Sequence, residues 1–437
     1  MMFEFKPHIT VNPQGNLALG GVDLVKLADR YSTPLYVYDE QRIRQRYREF
    51  KKAFEKYYGD VEVFYACKAN TNLAILHILR QEKAGVDILS EGELYLALLA
   101  GIRPEKIIFT GNNKTDRELE KALKAGVTIN LDSLHELDRL IRITEREKLR
   151  ARVSFRVNPE VSPETHPYLS TGLKESKFGI HENVILDGYK KAKEAEFLDI
   201  VGIHMHIGSQ ITKTSPYEVA TARLFDIIGR IKNNLGIELE FADLGGGVGI
   251  EYKEAQEIIT PEDLAKAVVP VINEKIKEYS LKKPELIFEP GRFIVGDAGI
   301  MLTRVSTVKS TPYKKFIGCD SGFHVLLRPV IYSAYHEVIV ANKPDEKPQE
   351  IVDIAGNVCE SGDILARDRK LPVIEEGDVL AFLDSGAYGF IMASQYNSRP
   401  RPAEVLVSQE GAELIRQVED FSSLIEKQLI PERLMKE

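Results

Sequence analysis

The chain has 437 residues, 43% of them hydrophobic, and a formal net charge of −8 at pH 7. Because Lys and Arg are interspersed with Asp and Glu and form no basic cluster, this balance argues against nucleic-acid binding and against a role at a membrane surface. No apolar run approaches the ~20 residues that span a bilayer, and the N-terminus lacks the layout of a signal peptide, so a cytoplasmic protein is expected.

The first predicted elements are a strand pair in residues 9–21 and a helix in residues 39–58. From residue 61 to residue 292, eight short apolar runs alternate with seven helical stretches. Parallel strands buried on both faces have such near-continuous apolar composition, and about 250 residues are typical of a (β/α)8 TIM barrel, so an α/β barrel is predicted. Its strands are expected in VEVFYACKAN (61–70), GVDILS (85–90), KIIFTG (106–111), VTINLDS (127–133), VSFRVNP (153–159), IVGIHMHIG (200–208), LEFADLGGG (239–247) and LIFEPGR (286–292).

After residue 292 the sequence changes character. Short runs rich in β-branched residues alternate with Gly, Pro and Thr, as in MLTRVSTVKSTPYKKFIGCD and PAEVLVSQ. Closely spaced turn signals of this kind predict a second, C-terminal antiparallel β domain, of β-sandwich or Greek-key-like type. The opening strand pair is assigned to the same domain. The expected domains are therefore a barrel over 41–292 and a β domain formed by 1–40 with 293–437.

Polar residues lie at the ends of all eight predicted barrel strands. In this fold, binding and catalytic groups sit at the C-terminal ends of the strands, and Lys68 lies where the first strand should finish. A solvated lysine that ends a strand is the ordinary alternative, but a full ring of polar strand ends favours a functional site. The ring consists of Lys68, Asp87, Ser90, Thr110, Asp132, Arg156, Asn158, His204, His206, Ser209, Asp243, Glu289 and Arg292.

The last two strands end in DLGGGVGI and EPGR. Loops after strands 7 and 8 of such barrels often bind a phosphate, and glycines let backbone N–H groups approach an anion closely, although a glycine triplet can also be a simple tight turn. A lysine that faces a phosphate site and a carboxylate favours pyridoxal 5′-phosphate as the cofactor: the amine forms a Schiff base and the carboxylate bonds the ring nitrogen.

The three cysteines are too few and too scattered for a disulfide framework, and they lack metal-ligand spacing, so no metal site is expected. Cys67 should point to the opposite side of the strand from Lys68 and pack in the core. Cys319 is interpreted as core filler as well.

The motifs YACKAN, HMHIGSQ, DLGGGVGI, EPGRF, LLRP, YSAYHE, CESGD and YNSRPRPAEV, in this order over nearly the whole chain, closely resemble the diaminopimelate decarboxylase family. That family belongs to the barrel-type pyridoxal-phosphate decarboxylases. The resemblance implies decarboxylation of meso-2,6-diaminopimelate to L-lysine and CO2, the last step of lysine biosynthesis. It also implies a homodimer in which each active site is completed by CESGD of the other subunit.

The resemblance assigns catalytic roles to four residues. Lys68 would bind the cofactor, His206 would stack on its ring, and Glu289 would keep the ring nitrogen protonated, since a carboxylate favours a neighbouring positive charge. Cys359 would return a proton to the substrate, because a thiol with an ordinary pKa near ~8.5 is largely protonated at neutral pH. Further cofactor contacts are expected from Asp87, Ser209, Gly247, Pro290, Gly291, Arg292 and Tyr388.

Substrate contacts also follow from the resemblance. Two arginines would bind the distal carboxylate, because a guanidinium offers a planar bidentate fork, and an acid would bind the distal ammonium. The segment 156–179 resembles a loop that closes over the site. The expected substrate-binding residues are Arg292, Arg328, Tyr332, Glu360 and Tyr388.

Several alternatives stay open from the sequence. His204 could point the same way as His206 or be a packed core histidine. Asp87 and Glu93 could line the cofactor or only cap local structure. The enzyme could be a decarboxylase of the same fold that acts on another basic or D-amino acid or on a carboxylated polyamine. A racemase is disfavoured by the pair Cys359 and Glu360, and a non-catalytic relative by the presence of both Lys68 and Cys359.

Overall fold

The structure is a computed structural model that describes residues 6–161 and 176–435. The strands are, in chain order, β1 Ile9–Val11, β2 Leu17–Leu19, β3 Val22–Asp23, β4 Leu35–Asp39, β5 Val61–Ala66, β6 Gly85–Ile88, β7 Ile107–Phe109, β8 Thr128–Leu131, β9 Ala151–Arg156, β10 Leu198–His204, β11 Phe241–Asp243, β12 Glu285–Phe288, β13 Gly299–Ser310, β14 Lys315–Cys319, β15 Val338–Val340, β16 Glu350–Ala355, β17 Ile364–Leu371, β18 Val379–Phe382, β19 Ala403–Ser408 and β20 Gly411–Arg416.

The α-helices are α1 Leu24–Tyr31, α2 Glu40–Tyr57, α3 Leu73–Gln81, α4 Glu91–Leu99, α5 Asp116–Ala125, α6 Leu134–Glu147, α7 Glu182–Glu194, α8 Ser215–Leu235, α9 Pro261–Glu278, α10 Arg292–Val295, α11 Arg328–Tyr332 and α12 Phe421–Ile425. Short 3-10 helices form at Cys67–Ala69, Pro104–Lys106, Phe390–Met392, Tyr396–Ser398 and Glu432–Leu434. Among the residues described, no helix is both long enough and apolar enough to cross a membrane.

The chain divides into two compact units, Gln41–Asp297 and Met1–Glu40 with Ala298–Glu437. The first unit extends beyond the predicted boundary at residue 292. Helix α10 belongs to it, and so does Asp297, whose carboxylate lies 2.6 Å from both Arg42 and Arg46 of α2. Two guanidinium groups around one buried carboxylate fix the end of this unit to α2.

The first unit is a closed barrel of parallel strands in the order β5 to β12, with β12 paired to β5. This confirms the predicted (β/α)8 fold. The strands are buried along nearly their whole length, as expected for a sheet covered on both faces. Several of the helices that follow the strands begin at side-chain caps: Thr115 and Thr260, for example, form capping boxes with Glu118 and Asp263.

The second unit contains a three-stranded antiparallel sheet, β1-β2-β3, and a nine-stranded sheet. The larger sheet is mainly antiparallel, with parallel pairs β4–β19 and β14–β16. Both sheets contribute to one hydrophobic core, in which Leu17 and Leu19 of β2 join residues of β4, β13 and β19 such as Val37, Leu302 and Val405. The opening strands therefore share the core of the C-terminal β domain.

Candidate active site

Lys68 lies at the C-terminal end of the first barrel strand, in the 3-10 helix Cys67–Ala69 that follows β5. Its side chain is 29% exposed, and Nζ lies 3.6 Å from Oδ2 of Asp87, which stands on the neighbouring strand β6. Cys67 is fully buried and Cys319 is buried as well, as the sequence predicts for core residues. The 3-10 turn thus directs the lysine amine, and not the thiol, toward the strand ends.

Asp87 is a buried carboxylate with only one oxygen hydrogen-bonded. Thr110 donates a hydrogen bond to its Oδ1, whereas Oδ2 receives none from the described residues. Burial and the negative charge of Glu289 raise the pKa of Asp87 to about 8, against the opposing effect of Lys68. Glu93 has a more local role, because its Oε2 accepts a 2.7 Å hydrogen bond from the backbone N–H of Leu89.

Glu289 follows the last barrel strand and is also buried. Its Oε2 lies 3.1 Å from Nε2 of His204, while its Oε1 has no hydrogen-bond partner among the described residues. Burial alone would raise the pKa of Glu289, but His204, through its charge and its hydrogen bond, and then the charge of Lys68 outweigh burial and lower the pKa below its usual range. The carboxyl of Asp243 is a further described group that hydrogen-bonds Glu289.

Asp243 at the end of β11 lies beside this pair. Its Oδ1 accepts a 2.8 Å hydrogen bond from the N–H of Gly245, and burial together with the charge of Glu289 raises its pKa well above the usual range. Ligand-type atoms of His204, Asp243 and Glu289 lie within 4.8 Å of one another, as in some metal sites. Both ring nitrogens of His204, however, face protein partners, Asn130 and Glu289, which leaves no lone pair directed at an ion.

The glycine triplet forms a tightly packed loop next to Glu289. A Cβ at Gly246 would lie 2.0 Å from the carbonyl oxygen of Glu289, and one at Gly247, where φ is +102°, would lie 2.3 Å from the carbonyl oxygen of Gly208. Only glycine fits at these two positions. The loop therefore brings its backbone close to any ligand held at the ends of β10, β11 and β12.

His206 is half-buried and lies against the same loop. Its Nδ1 accepts a 3.2 Å hydrogen bond from the N–H of Gly246, so Nδ1 carries no proton. Burial and the positive charge of Lys68 hold the pKa of His206 well below its usual value. The ring is therefore neutral.

The EPGR turn adjoins the lysine turn directly. A Cβ at Gly291 would lie 3.0 Å from Cβ of Ala69, and the carbonyl of Pro290 accepts a hydrogen bond from the N–H of Ala66. Arg292 is buried, and its guanidinium donates to Oγ of Ser209 at 2.9 Å and to the hydroxyl of Tyr252 at 2.6 Å. The loops after β10, β11 and β12 thus meet at one guanidinium.

The second unit holds the remaining predicted residues. Cys359 and Glu360 are exposed, and both contact the YNS segment: Cys359 Sγ lies 3.6 Å from Oδ1 of Asn397, and the Tyr396 hydroxyl donates to Glu360. The ring of Tyr396 stacks on Phe323 with centroids 5.6 Å apart. The thiol and the acid are therefore held together on one exposed turn.

Arg328 is buried at the start of α11, where its Nη1 donates to Nε2 of His336 at 2.8 Å. Tyr332, at the end of the same helix, and Tyr388, in the left-handed region with φ of 57°, are both half-buried. Arg292 and Arg328 belong to different units, so the prediction that both bind one substrate carboxylate stays a prediction.

The barrel unit therefore gathers one group of predicted residues at the C-terminal strand ends, and the β unit carries the other group. Residues 162–175 of the predicted closing loop lie outside the described residues. Of the described part of that loop, Gly179 donates a 3.0 Å hydrogen bond to Asp132. The barrel group is Lys68, Asp87, His206, Ser209, Gly247, Glu289, Pro290, Gly291 and Arg292, and the β-unit group is Arg328, Tyr332, Cys359, Glu360 and Tyr388.

Sequence reasoning missed two residues that support the site. Tyr252, which binds Arg292, lies in a loop without a motif, and no signal marks it. Asn130, which contacts His204, is a polar residue inside the apolar run VTINLDS. Asn130 and Asp132 are two residues apart, so the strand period of two predicts that their side chains lie on the same side. This spacing is the signal in the sequence that could have identified Asn130.

The barrel site fits pyridoxal phosphate in three separate features. The unsatisfied Oε1 of Glu289 suits a ring N–H donor, the glycine loop forms a cradle that a Cβ would fill, and Lys68 offers a partly exposed amine. The carboxylate and the amine reach the site from β12 and β5, which are adjacent in the barrel.

Comparisons with known proteins agree with this geometry. Residues 40–296 match the family described as "Pyridoxal-dependent decarboxylase, pyridoxal binding domain". The chain is 50% identical over 430 residues to a diaminopimelate decarboxylase from Methanothermobacter thermautotrophicus, covering 98% of this chain and 99% of that protein.

Solved structures give the same result. A crystal structure of diaminopimelate decarboxylase from M. jannaschii is 40% identical, with a TM-score of 0.93 and coverage of 99% of this chain and 100% of that one. A second structure of that enzyme, with L-lysine, also has a TM-score of 0.93 at 40% identity, covering 98% and 99% of the two chains. The resemblance seen in the sequence and the pyridoxal cofactor are thereby confirmed. The chain belongs to the diaminopimelate decarboxylase family of pyridoxal-dependent decarboxylases.

Proposed function

We propose that this protein removes CO2 from meso-2,6-diaminopimelate to give L-lysine. The observation that carries the proposal is the full-length match at 50% identity to a diaminopimelate decarboxylase, which includes both compact units. A relative of 40% identity has been crystallised with L-lysine, the product of this reaction. A substrate with an amino-acid group at each end also explains why charged candidate residues occur in both units.

Bound pyridoxal phosphate supplies a protonated aromatic ring that takes up the electron pair of the breaking bond between Cα and the carboxylate. Lys68 would hold its aldehyde carbon, and the Gly245–Gly247 loop with Ser209 would hold its phosphate. Glu289 would accept the ring N–H at Oε1, since the low pKa of this carboxyl keeps it ionised. The neutral His206 would cover one face of the ring.

Cys359 is proposed to donate the proton from Sγ to the substrate carbon after CO2 has left. The thiol and Glu360 are exposed in the single chain, as expected for groups that complete the site of a second subunit. A homodimer with shared sites is therefore part of the proposal, with Glu360 binding the distal ammonium and Arg328 the distal carboxylate. The cytoplasmic location stays a prediction.

The decisive experiment is a product assay. Purified protein with pyridoxal phosphate and meso-diaminopimelate should release CO2 and form lysine, detected by chromatography against a chiral standard. Lys68→Ala should form none, and Lys190→Ala, a change at an exposed lysine of α7, should retain full activity. A panel containing ornithine, arginine, D-amino acids and a carboxylated polyamine serves as comparison. If kcat/KM for any of these compounds exceeded kcat/KM for meso-diaminopimelate, the proposed substrate would be contradicted.

A further inference from the structure

A row of buried polar side chains crosses the barrel and ends at Glu289. Oγ of Ser154 on β9 donates to Oδ1 of Asn130 on β8 at 2.8 Å. Nδ2 of Asn130 lies 3.1 Å from Nδ1 of His204 on β10, and Nε2 of His204 lies 3.1 Å from Oε2 of Glu289. All four side chains are buried, so each hydrogen bond is made within the protein.

The row has a defined direction. The Ser154 hydroxyl donates a hydrogen bond to the oxygen of the Asn130 amide. The NH2 group of that amide therefore faces His204. An imidazole nitrogen that faces an amide N–H must accept, so Nδ1 of His204 carries no proton. The ring proton is then on Nε2, where it is donated to Glu289. The amide thus selects one tautomer of a histidine that binds the carboxylate, in the way outer partners orient metal-ligating histidines.

We propose that Ser154, Asn130 and His204 are positioning residues that hold Glu289 as an anion with one oxygen hydrogen-bonded and the other, Oε1, left for the cofactor ring. This inference rests on the proposed cofactor site but not on the identity of the substrate. Oε1 receives no hydrogen bond from an N–H group or a hydroxyl of the described residues, and the carboxyl of Asp243 is the neighbouring group that also hydrogen-bonds Glu289. The inference therefore rests on the row of hydrogen bonds from Ser154 to Glu289.

The surroundings of His204 favour the neutral ring. The charged and titratable groups that face it are Glu289 and Asp243 on one side and Arg156, Lys68 and His206 on the other. Burial lowers the pKa of His204, Arg156 and Lys68 lower it further, and Glu289 opposes them without reversing the shift. A neutral donor leaves the whole negative charge of Glu289 available to the ring nitrogen, whereas an imidazolium would compete for it.

The direct test is NMR spectroscopy of protein labelled with 15N-histidine, with and without pyridoxal phosphate. The nine histidines are resolved by comparison with His204→Gln, in which the His204 signals disappear. We expect one protonated nitrogen, Nε2, and one unprotonated nitrogen, Nδ1, from pH 6 to pH 8. Two protonated nitrogens, or a proton on Nδ1 alone, would overturn the proposal. This readout is independent of which substrate the enzyme takes.

The second test is Asn130→Asp, which keeps the shape of the side chain but removes the N–H groups. A carboxylate facing Nδ1 favours a proton there, so His204 either becomes an imidazolium or moves its ring proton from Nε2 to Nδ1, and either change alters its hydrogen bond to Glu289. We expect kcat to fall about ten- to a hundredfold with KM and cofactor affinity changed about twofold or less. The control is Asn233→Asp at an exposed position of α8, which should behave as wild type. An unchanged kcat in folded Asn130→Asp would contradict the inference.

Ser154→Ala provides an independent variant if Asn130→Asp does not fold. It removes the hydroxyl that orients the Asn130 amide and leaves every other member of the row in place. We expect two His204 tautomers in the NMR spectrum and a smaller loss of kcat, about two- to tenfold. A spectrum and a kcat identical to wild type would show that the row does not set the state of His204.

Discussion

Lys68, in the turn that follows β5, and Asp87, on the neighbouring strand β6, lie with Nζ 3.6 Å from Oδ2, yet the pKa of Asp87 is raised and not lowered. Burial and the nearby charge of Glu289 raise the pKa of Asp87 to about 8, which the single lysine does not offset. The site therefore contains one carboxyl group whose pKa is lowered, Glu289, and two whose pKa values are raised, Asp87 and Asp243.

The first prediction concerns stability and pH. Folded Asp87 keeps its proton up to about pH 8, whereas in the unfolded chain it loses the proton near ~3.9, so the folded state binds more protons between these values. The free energy of unfolding contributed by Asp87 must then decrease as the pH rises through this window. In Asp87→Asn this decrease is absent.

The quantity to compare is the free energy of unfolding of cofactor-free Asp87→Asn minus that of cofactor-free wild type, measured by urea unfolding. We expect this difference to be about 1–3 kcal/mol larger at pH 8 than at pH 5. Asp60→Asn, at an exposed position before β5, is the control and should show no such pH dependence. An equal difference between Asp87→Asn and wild type at both pH values would be evidence against the raised pKa.

The second prediction separates catalysis from cofactor binding. In Glu289→Gln the ring nitrogen loses its ionised partner but the shape of the pocket stays the same. We expect kcat to fall by about a hundredfold or more, with a much smaller effect on the cofactor dissociation constant measured by fluorescence. Glu285→Gln, at the opposite end of the same strand, should change neither quantity. Equal losses in binding and in kcat would argue against the assigned role.

The third prediction tests the glycine loop with a pair of matched substitutions. Gly247 and Gly59 have similar φ values, +102° and +98°. A Cβ added at Gly247 would clash with the carbonyl oxygen of Gly208, whereas a Cβ added at Gly59 would have no atom within 4 Å. Both alanine variants carry a similar backbone penalty of about 1 kcal/mol.

Only Gly247→Ala should displace the loop, so we expect it alone to weaken cofactor binding, by about tenfold or more. The cofactor dissociation constant should be measured together with the melting temperature, which reports the shared backbone effect. If Gly59→Ala weakened cofactor binding as much, the loss would come from strain in general and not from the phosphate loop.

The fourth prediction tests the shared site. Lys68→Ala and Cys359→Ala should each be inactive, but a mixed dimer contains one site with both the lysine and the thiol intact. After subunit exchange of equal amounts, we expect about a quarter of the wild-type activity, from random pairing. A mixture of Lys68→Ala and Glu289→Gln is the control, because both defects lie in the barrel and no complete site can form. No recovery in the first mixture would contradict the shared site.

The barrel could be predicted from the sequence because its strands are buried on both faces and are therefore apolar throughout. The end of the barrel unit at Asp297 could not, since it depends on contacts between Asp297 and two arginines far away in sequence. The position of Lys68 at a strand end could be predicted from the barrel fold, but the hydrogen bond between Asn130 and His204 could not. One amide in an apolar strand gives no local sign of the partner that it meets across the barrel.

The pairing of β12 with β5 has a consequence for biosynthesis. During translation the ribosome releases Lys68 long before Glu289 and the EPGR turn, which pack against the lysine only when the first and last barrel strands are side by side. The emerging chain therefore contains Lys68 well before it contains Glu289. Since the lysine turn and Glu289 come together only when β12 pairs with β5, stable binding of the coenzyme is expected only in the folded barrel.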